Sequence, residues 1–309
     1  MSSPFHIVVM GAGGVGGYFG ARLARSGQPV TMVARGAHRE AIQRHGLQIR
    51  SAVEGEYTVK IETVERLEGQ PRADAVLFCV KSFDTDAALA ALRPVVGPDT
   101  TVLSLQNGID SAARIDAALG PGHALGGAAY VFSAIEAPGV VAHRFLGRVA
   151  LGELDGRVTP RAERLRAAFA EAEVPVELST DIRRVLWEKY LIICAQAGIT
   201  GLTRATIGVV RETPVTWRLY RVLLEELAAV ATAAGIVLGP DTIDNIVKMA
   251  AGLAPEASSS LAHDLSQGHR LELETLHGHA VRLAERLGVN APTLFAVYAA
   301  LKPYAEGTR

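Results

Sequence analysis

The stretch "HIVVMGAGGVGGYFG" (residues 6–20) constrains this chain more than any other. A β-branched run leads into Gly11, Gly13 and Gly16, spaced G-x-G-x-x-G, and a helical pattern follows through Arg25. Glycine at the first position permits a tight turn, and at the second it lets backbone approach a pyrophosphate. At the third it lets helix and strand pack closely. The helix N-terminus adds free N–H groups and a dipole that favours anions. Such a triplet also marks ordinary turns. Its strand–turn–helix setting predicts that Gly11, Ala12, Gly13, Gly14, Val15 and Gly16 form a dinucleotide-binding loop.

The first half continues in the same alternation. "PVTMVA" (29–34), "AVLFCV" (75–80) and "TVLSLQ" (100–105) are apolar runs of the kind buried on both faces of a parallel sheet. "GLQIRSAVEGEYTVKIE" reads as an added hairpin or edge piece. "HALGGAAYVFSAI" and "VVAHRFLGRVALGE" extend the sheet as antiparallel strands about a turn at Pro138–Gly139. From about Thr180 helical periodicity takes over, with Gly or Pro at each boundary. The expectation is an α/β chain with an N-terminal Rossmann-type doubly wound sheet (1–179) followed by an all-helical C-terminal domain (180–309). A length of 309 residues suits two domains of about 150 each.

A formal net charge of −1 excludes a broad field that would recruit nucleic acid or anionic lipid. The longest apolar run, "YLIICAQAGITGLT", is too short for a bilayer and reads as a buried helix. The opening "MSSPFHIVVMG" has no basic n-region or cleavage pattern, so no secretory signal is expected. Cys79 and Cys194 lie among apolar residues and read as buried free thiols, which points to a reducing, cytoplasmic setting. The helix "YRVLLEELAAVATAAG" is either core or the face of a homodimer.

"MVARGAHRE" (32–40) offers Arg35, His38 and Arg39 where an NAD-type site places an acid at the end of the second strand. A guanidinium there suits a 2′-phosphate through charge-assisted, forked hydrogen bonds, so NADPH is the expected cofactor. Arg39, one turn on, is placed to assist; the alternative is a solvated basic loop. Lys81 follows "AVLFCV", and Asn107 lies in "QNG" after "TVLSL". Both occupy carboxyl ends of parallel strands, where open α/β sheets bind ligands, although Asn107–Gly108 is also a good turn dipeptide. Lys189 stands inside "VLWEKYLIICAQAG". It either snorkels to solvent or lies in dry surroundings, where a lowered pKa makes it a usable proton donor. "ETLH" supplies one Glu-x-x-His pair where a di-iron bundle needs two, so no metal is expected.

With these pieces in order, the chain resembles the ketopantoate reductase (2-dehydropantoate 2-reductase) family. The resemblance rests on "GAGGVGGYFGARLARSG", "VARG", "VKSFDT", "LQNGID", "LWEKY" and "SSSLAHDLSQGHRLELETLHG". It implies a Rossmann domain holding NADPH and a helical domain closing over it, with a small 2-keto acid reduced in the cleft between. By motif, residues 11–16 hold the cofactor phosphates, Arg35 the 2′-phosphate, and Lys81 and Asn107 lie near nicotinamide and substrate. Lys189 is the general acid, and Ser260 and Glu272 contact substrate, with Glu272 also near the lysine. The sequence departs from the family pattern where asparagines stand four and eight residues after the lysine. Here those positions are Ile193 and Ala197, with Gln196 nearby. The resemblance favours reduction of 2-dehydropantoate to pantoate on the way to pantothenate and coenzyme A. The alternatives are a same-fold reductase of another keto acid, or a non-catalytic NADPH-binding redox sensor.

Overall fold

The computed structural model describes residues 5–307. The described strands share one ten-stranded sheet. They are β1 (Ile7–Met10), β2 (Val30–Val33), β3 (Leu47–Ser51), β4 (Gly55–Val59), β5 (Glu62–Val64), β6 (Ala75–Phe78), β7 (Thr101–Ser104), β8 (Ala124–Ala137), β9 (Val140–Gly152) and β10 (Val176–Leu178). Its parallel part runs β5–β2–β1–β6–β7–β8, and the order reverses direction between β1 and β6. That is the doubly wound order with its topological switch point beside the first strand, the place where such sheets take ligands.

Strands β1, β2, β6 and β7 are buried along their whole length because both faces are covered. The two-residue period sorts their side chains into two cores: Ile7 and Val9 enter one, Val8 and Met10 the other. The helices of this part are α1 (Gly14–Arg25), α2 (Gly36–His45), α3 (Thr85–Leu92), α4 (Ser111–Leu119) and α5 (Pro160–Glu171). Tyr18, Phe19 and Leu23 of α1 join Leu165 and Phe169 of α5 on one face, while Leu89 and Leu92 of α3 and Ile115 of α4 cover the other. β3 and β4 form the added hairpin, which lies against β9. β8 and β9 make a long antiparallel ribbon. Helix α5 and strand β10 had no expectation attached. The strand is only three residues long and pairs in parallel with β9.

The remainder is helical: α6 (Ile182–Thr203), α7 (Ile207–Glu212), α8 (Pro214–Ala233), α9 (Thr242–Ala251), α10 (Ser260–Ser266), α11 (His279–Leu287) and α12 (Pro292–Leu301). Two compact units result. One runs to Gln106 and takes in Asp110–Val185; the other comprises Asn107–Ile109 and the chain from Leu186 on. The division therefore falls inside α6, not ahead of it. On α8, Tyr220, Leu223, Leu224, Leu227, Val230 and Ala231 are buried in the helical core, so the stripe that reads as core or interface is core. No described helix is long and apolar enough to cross a membrane.

One periodic segment behaves differently from its pattern. "HRLELETLHGHAVRLAERLG" reads as one helix from residue 269, yet the backbone N–H of Leu271 donates to the Ala305 carbonyl at 2.9 Å. That bond draws the chain out of the helix. A π turn over Glu274–Gly278 then leads into α11, with the Gly278 N–H donating to Leu273 O at 2.9 Å.

Candidate functional site

In the first unit, the expected loop lies between β1 and α1. Gly11 adopts φ +106°, a conformation that side chains disfavour, and a Cβ on it would lie 3.0 Å from the Val80 nitrogen, just past β6. A Cβ on Gly14 would sit 2.1 Å from the Ser133 carbonyl oxygen, and one on Gly16 would sit 2.0 Å from the Gly11 carbonyl oxygen. These three glycines are required by the protein's own packing. Gly13 is not: its φ is −71°, and a Cβ there would meet nothing within 4 Å. Glycine at that position leaves open space in front of the first turn of α1, whose N–H groups lack intrahelical partners. The cradle fits a dinucleotide pyrophosphate, with close backbone approach at Gly13. Ala12 is buried, and Val15 packs against the adjoining core.

The basic stretch after β2 separates into three cases. Arg35 is exposed at the N-cap of α2, and no described residue pairs with its guanidinium. Arg39 is ion-paired with Glu65. His38 turns inward: its Nε2 meets the Ala12 carbonyl oxygen at 2.9 Å, and its Nδ1 accepts from the Gly139 N–H at 3.0 Å. Only Arg35 of the three keeps an uncommitted charge. Lys81 lies at the end of β6, exposed, at the start of the turn Ser82–Asp84. Gln106, to which the sequence reading gave no role, ties two strand ends together. Its amide nitrogen donates to Val80 O and to Thr85 Oγ1, both at 2.9 Å. Residues 11–16, Arg35 and Lys81 thus gather at the carboxyl ends of β1, β2 and β6. Asn107 directly follows Gln106 past the end of β7, and residues 107–109 group with the helical unit, where Ile109 lies against its core.

In the helical unit Lys189 is only 9% exposed, so its side chain does not snorkel. Burial pushes its pKa down to about 8, partly offset by the nearby Glu272 carboxylate, which favours the ammonium. Two clamps hold α6 against the π turn that follows Glu272. The Tyr190 hydroxyl donates to the Leu276 carbonyl, and His277 Nε2–H donates to the Cys194 carbonyl at 2.9 Å. His277 is fully buried and held neutral, its pKa pushed down to about 4 by desolvation. Gly198 makes room for that ring, since a Cβ there would lie 2.7 Å from Nε2. π turns recur at functional sites, where the extra residue re-aims a side chain.

Further along the lysine's face of α6 come Ile192, Ile193, Gln196 and Ala197. Ile193 is half-buried and Ala197 buried, both against the helical core. The Gln196 amide donates to Ser258 O at 3.4 Å, and Thr200 Oγ1 lies 2.8 Å from Ser259 Oγ. Ser259 caps α10 by accepting from the Ala262 N–H at 3.0 Å. Ser260 is the exposed first residue of that helix. Segments 258–259 and 276–277 are accordingly tied to the helix that carries Lys189. Of the two thiols, Cys194 is buried but Cys79 is only half-buried.

Residues 7–156 match the family model described as ketopantoate reductase PanE/ApbA, and residues 181–305 match the C-terminal model of the same family. The chain is 30% identical over 299 residues to the oxidoreductase YkpB of Bacillus subtilis (strain 168), covering 96% of this chain and 98% of that one. It is 28% identical over 320 residues to the 2-dehydropantoate 2-reductase of Mesorhizobium japonicum, covering 97% of each. A solved PanE/ApbA family ketopantoate reductase from Ralstonia eutropha JMP134 superposes with TM-score 0.90 at 34% identity, covering 97% of this chain and 98% of that one. With both halves matched and the fold shared over 97% of its length, this chain belongs to the ketopantoate reductase family of oxidoreductases.

Proposed function

We propose that the protein reduces small 2-keto acids with NADPH, 2-dehydropantoate among them. On this reading the first unit is the cofactor domain and the helical unit the substrate and catalytic domain. The observation that carries the proposal is the ammonium of Lys189, buried, poised near neutrality and set beside Glu272 on a clamped helix. A redox sensor has no use for such a proton donor.

When bound, NADPH supplies the hydride that the keto carbon receives. The chain's own residues do the rest. The backbone of residues 11–16 seats the phosphates, and Arg35 meets the 2′-phosphate. Lys81 and Asn107 serve the nicotinamide side and the substrate, and Ser260 and Glu272 contact substrate. Lys189 Nζ stabilises the negative charge that grows on the ketone oxygen and then protonates it. Glu272 keeps enough of the lysine charged at neutral pH for that transfer. The reading is tested by following NADPH oxidation across a panel of 2-keto acids; no turnover with any member refutes it.

The lysine's face also bears on which keto acid is preferred. Of Ile192, Ile193, Gln196 and Ala197, only Gln196 offers hydrogen-bonding atoms, and its amide nitrogen is directed at Ser258. The side chains of Ile193 and Ala197 carry neither donor nor acceptor and so give no reward to a substrate hydroxyl. Modest turnover of 2-dehydropantoate is therefore expected, with better use of a keto acid bearing a plain branched alkyl chain. Ile193→Asn shifts the kcat/KM ratio toward 2-dehydropantoate by about 1 kcal/mol, roughly fivefold, for one hydrogen bond gained. The measurement is a two-substrate comparison in parent and variant. A parent that already strongly prefers 2-dehydropantoate contradicts it and points to Gln196 as the group that reads the hydroxyl.

A further inference from the structure

His38 belongs to a basic stretch, yet its ring is held at both nitrogens by backbone groups. The Gly139 N–H can only donate, so Nδ1 carries no proton. The Ala12 carbonyl can only accept, so Nε2 carries one. The partners thus fix a neutral ring in a single tautomer. Burial works in the same direction, lowering the pKa of His38 below its ordinary value. A ring so committed is not an anion ligand. What it controls is the backbone it touches.

The peptide between Ala12 and Gly13 is the link that matters. In a trans peptide the carbonyl of one residue and the N–H of the next point in opposite directions. No cis peptide bonds occur among the described residues. With the Ala12 carbonyl held by His38, the Gly13 N–H points the other way, on the side away from the imidazole. The Ala12 N–H is itself tied to Val33 O at 3.2 Å, so both polar groups of Ala12 are engaged. Gly13 is also the loop residue around which space is left open. If this peptide turned over, a carbonyl oxygen would face the anion in place of a donor. Glycine on one side of the bond makes that rotation easy unless something restrains it.

We propose that His38 is a positioning residue of the dinucleotide site: its Nε2–H holds the Ala12 carbonyl and so keeps the Gly13 N–H directed at the cofactor pyrophosphate. The ring is in turn held by the hairpin turn between β8 and β9. There Gly139 (φ +77°) accepts from Gln48 N at 2.9 Å and donates to Nδ1. The inference rests on the NADPH reading above.

The test separates the two ring nitrogens. In His38→Gln, the amide nitrogen reaches about as far as Nε2 and preserves the bond to Ala12. In His38→Asn, the amide oxygen sits near Nδ1 and preserves only the bond from Gly139. His38→Leu preserves neither. NADPH binding is measured by calorimetry on the full chain, alongside the keto acid KM at saturating NADPH. The expected result is a rise in the NADPH dissociation constant of about tenfold for Leu and Asn, and no more than about threefold for Gln. The keto acid KM stays unchanged in all three. A purely structural histidine would lower thermal stability without placing Gln apart from Asn in affinity. Equal affinities for Gln and Asn, or a Leu variant that binds like the parent, overturn the inference and leave the cofactor reading standing. A parent that binds no NADPH overturns both.

Discussion

Lys189→Ala lowers the turnover of keto acid reduction by roughly 10²–10⁴, the contribution expected of a positioned general acid. The variant keeps its helical core, because the rest of α6 is packed through Leu191, Cys194, Ala195 and Ile199. NADPH affinity stays near the parent value, because the lysine belongs to the helical unit and the glycine cradle to the other. The parent's pH profile carries the second signature. Reduction needs the ammonium form, so kcat/KM is high at neutral pH and falls as pH rises through about 8. Lys189→Arg keeps the charge but gives up its proton far less readily; it loses the alkaline limb and most of the rate. Near-parent turnover in a folded Lys189→Ala protein removes the lysine from the mechanism.

Much of this organisation is legible in the sequence because it follows from local rules. The glycine triplet, the continuous apolar strands and the strand-to-helix transition each have a periodicity or a backbone requirement that a linear reading detects. Other features depend on partners distant in sequence. Lys189 reads equally well as a snorkelling or a buried residue, since its burial is decided by a segment some eighty residues away. The break ahead of the π turn at Glu274–Gly278 is hidden because the partner that holds Leu271, the Ala305 carbonyl, lies outside the periodic window. His38 reads as one of three basic residues awaiting an anion, and only the positions of Ala12 and Gly139 show that its nitrogens are spent. One signal for the α6 clamp was available. Gly198 interrupts a helical run for no local reason, and the fold shows that it admits the His277 ring.

The cofactor preference gives the other large expected effect. Arg35→Asp raises the NADPH dissociation constant by about a hundredfold. The loss of charge-assisted hydrogen bonds accounts for about 1.5–3 kcal/mol, and repulsion between carboxylate and 2′-phosphate adds to it. The exposed guanidinium has no described ion-pair partner, so its removal leaves no buried charge behind and the fold is unaffected. Nor does Arg39 compensate, because its own guanidinium is engaged with Glu65, and Arg39→Ala is expected to change NADPH affinity only slightly. NADH responds oppositely: a carboxylate at the end of β2 can accept from the ribose hydroxyls, so its affinity is held or improved. Because the pairing is exposed, the parent's advantage for NADPH narrows as ionic strength rises, and the variant's NADPH deficit narrows with it. Binding isotherms for both cofactors, in parent and variant at two salt concentrations, decide the matter. Equal affinity of the parent for NADPH and NADH ends the case for Arg35 as the reader of the 2′-phosphate.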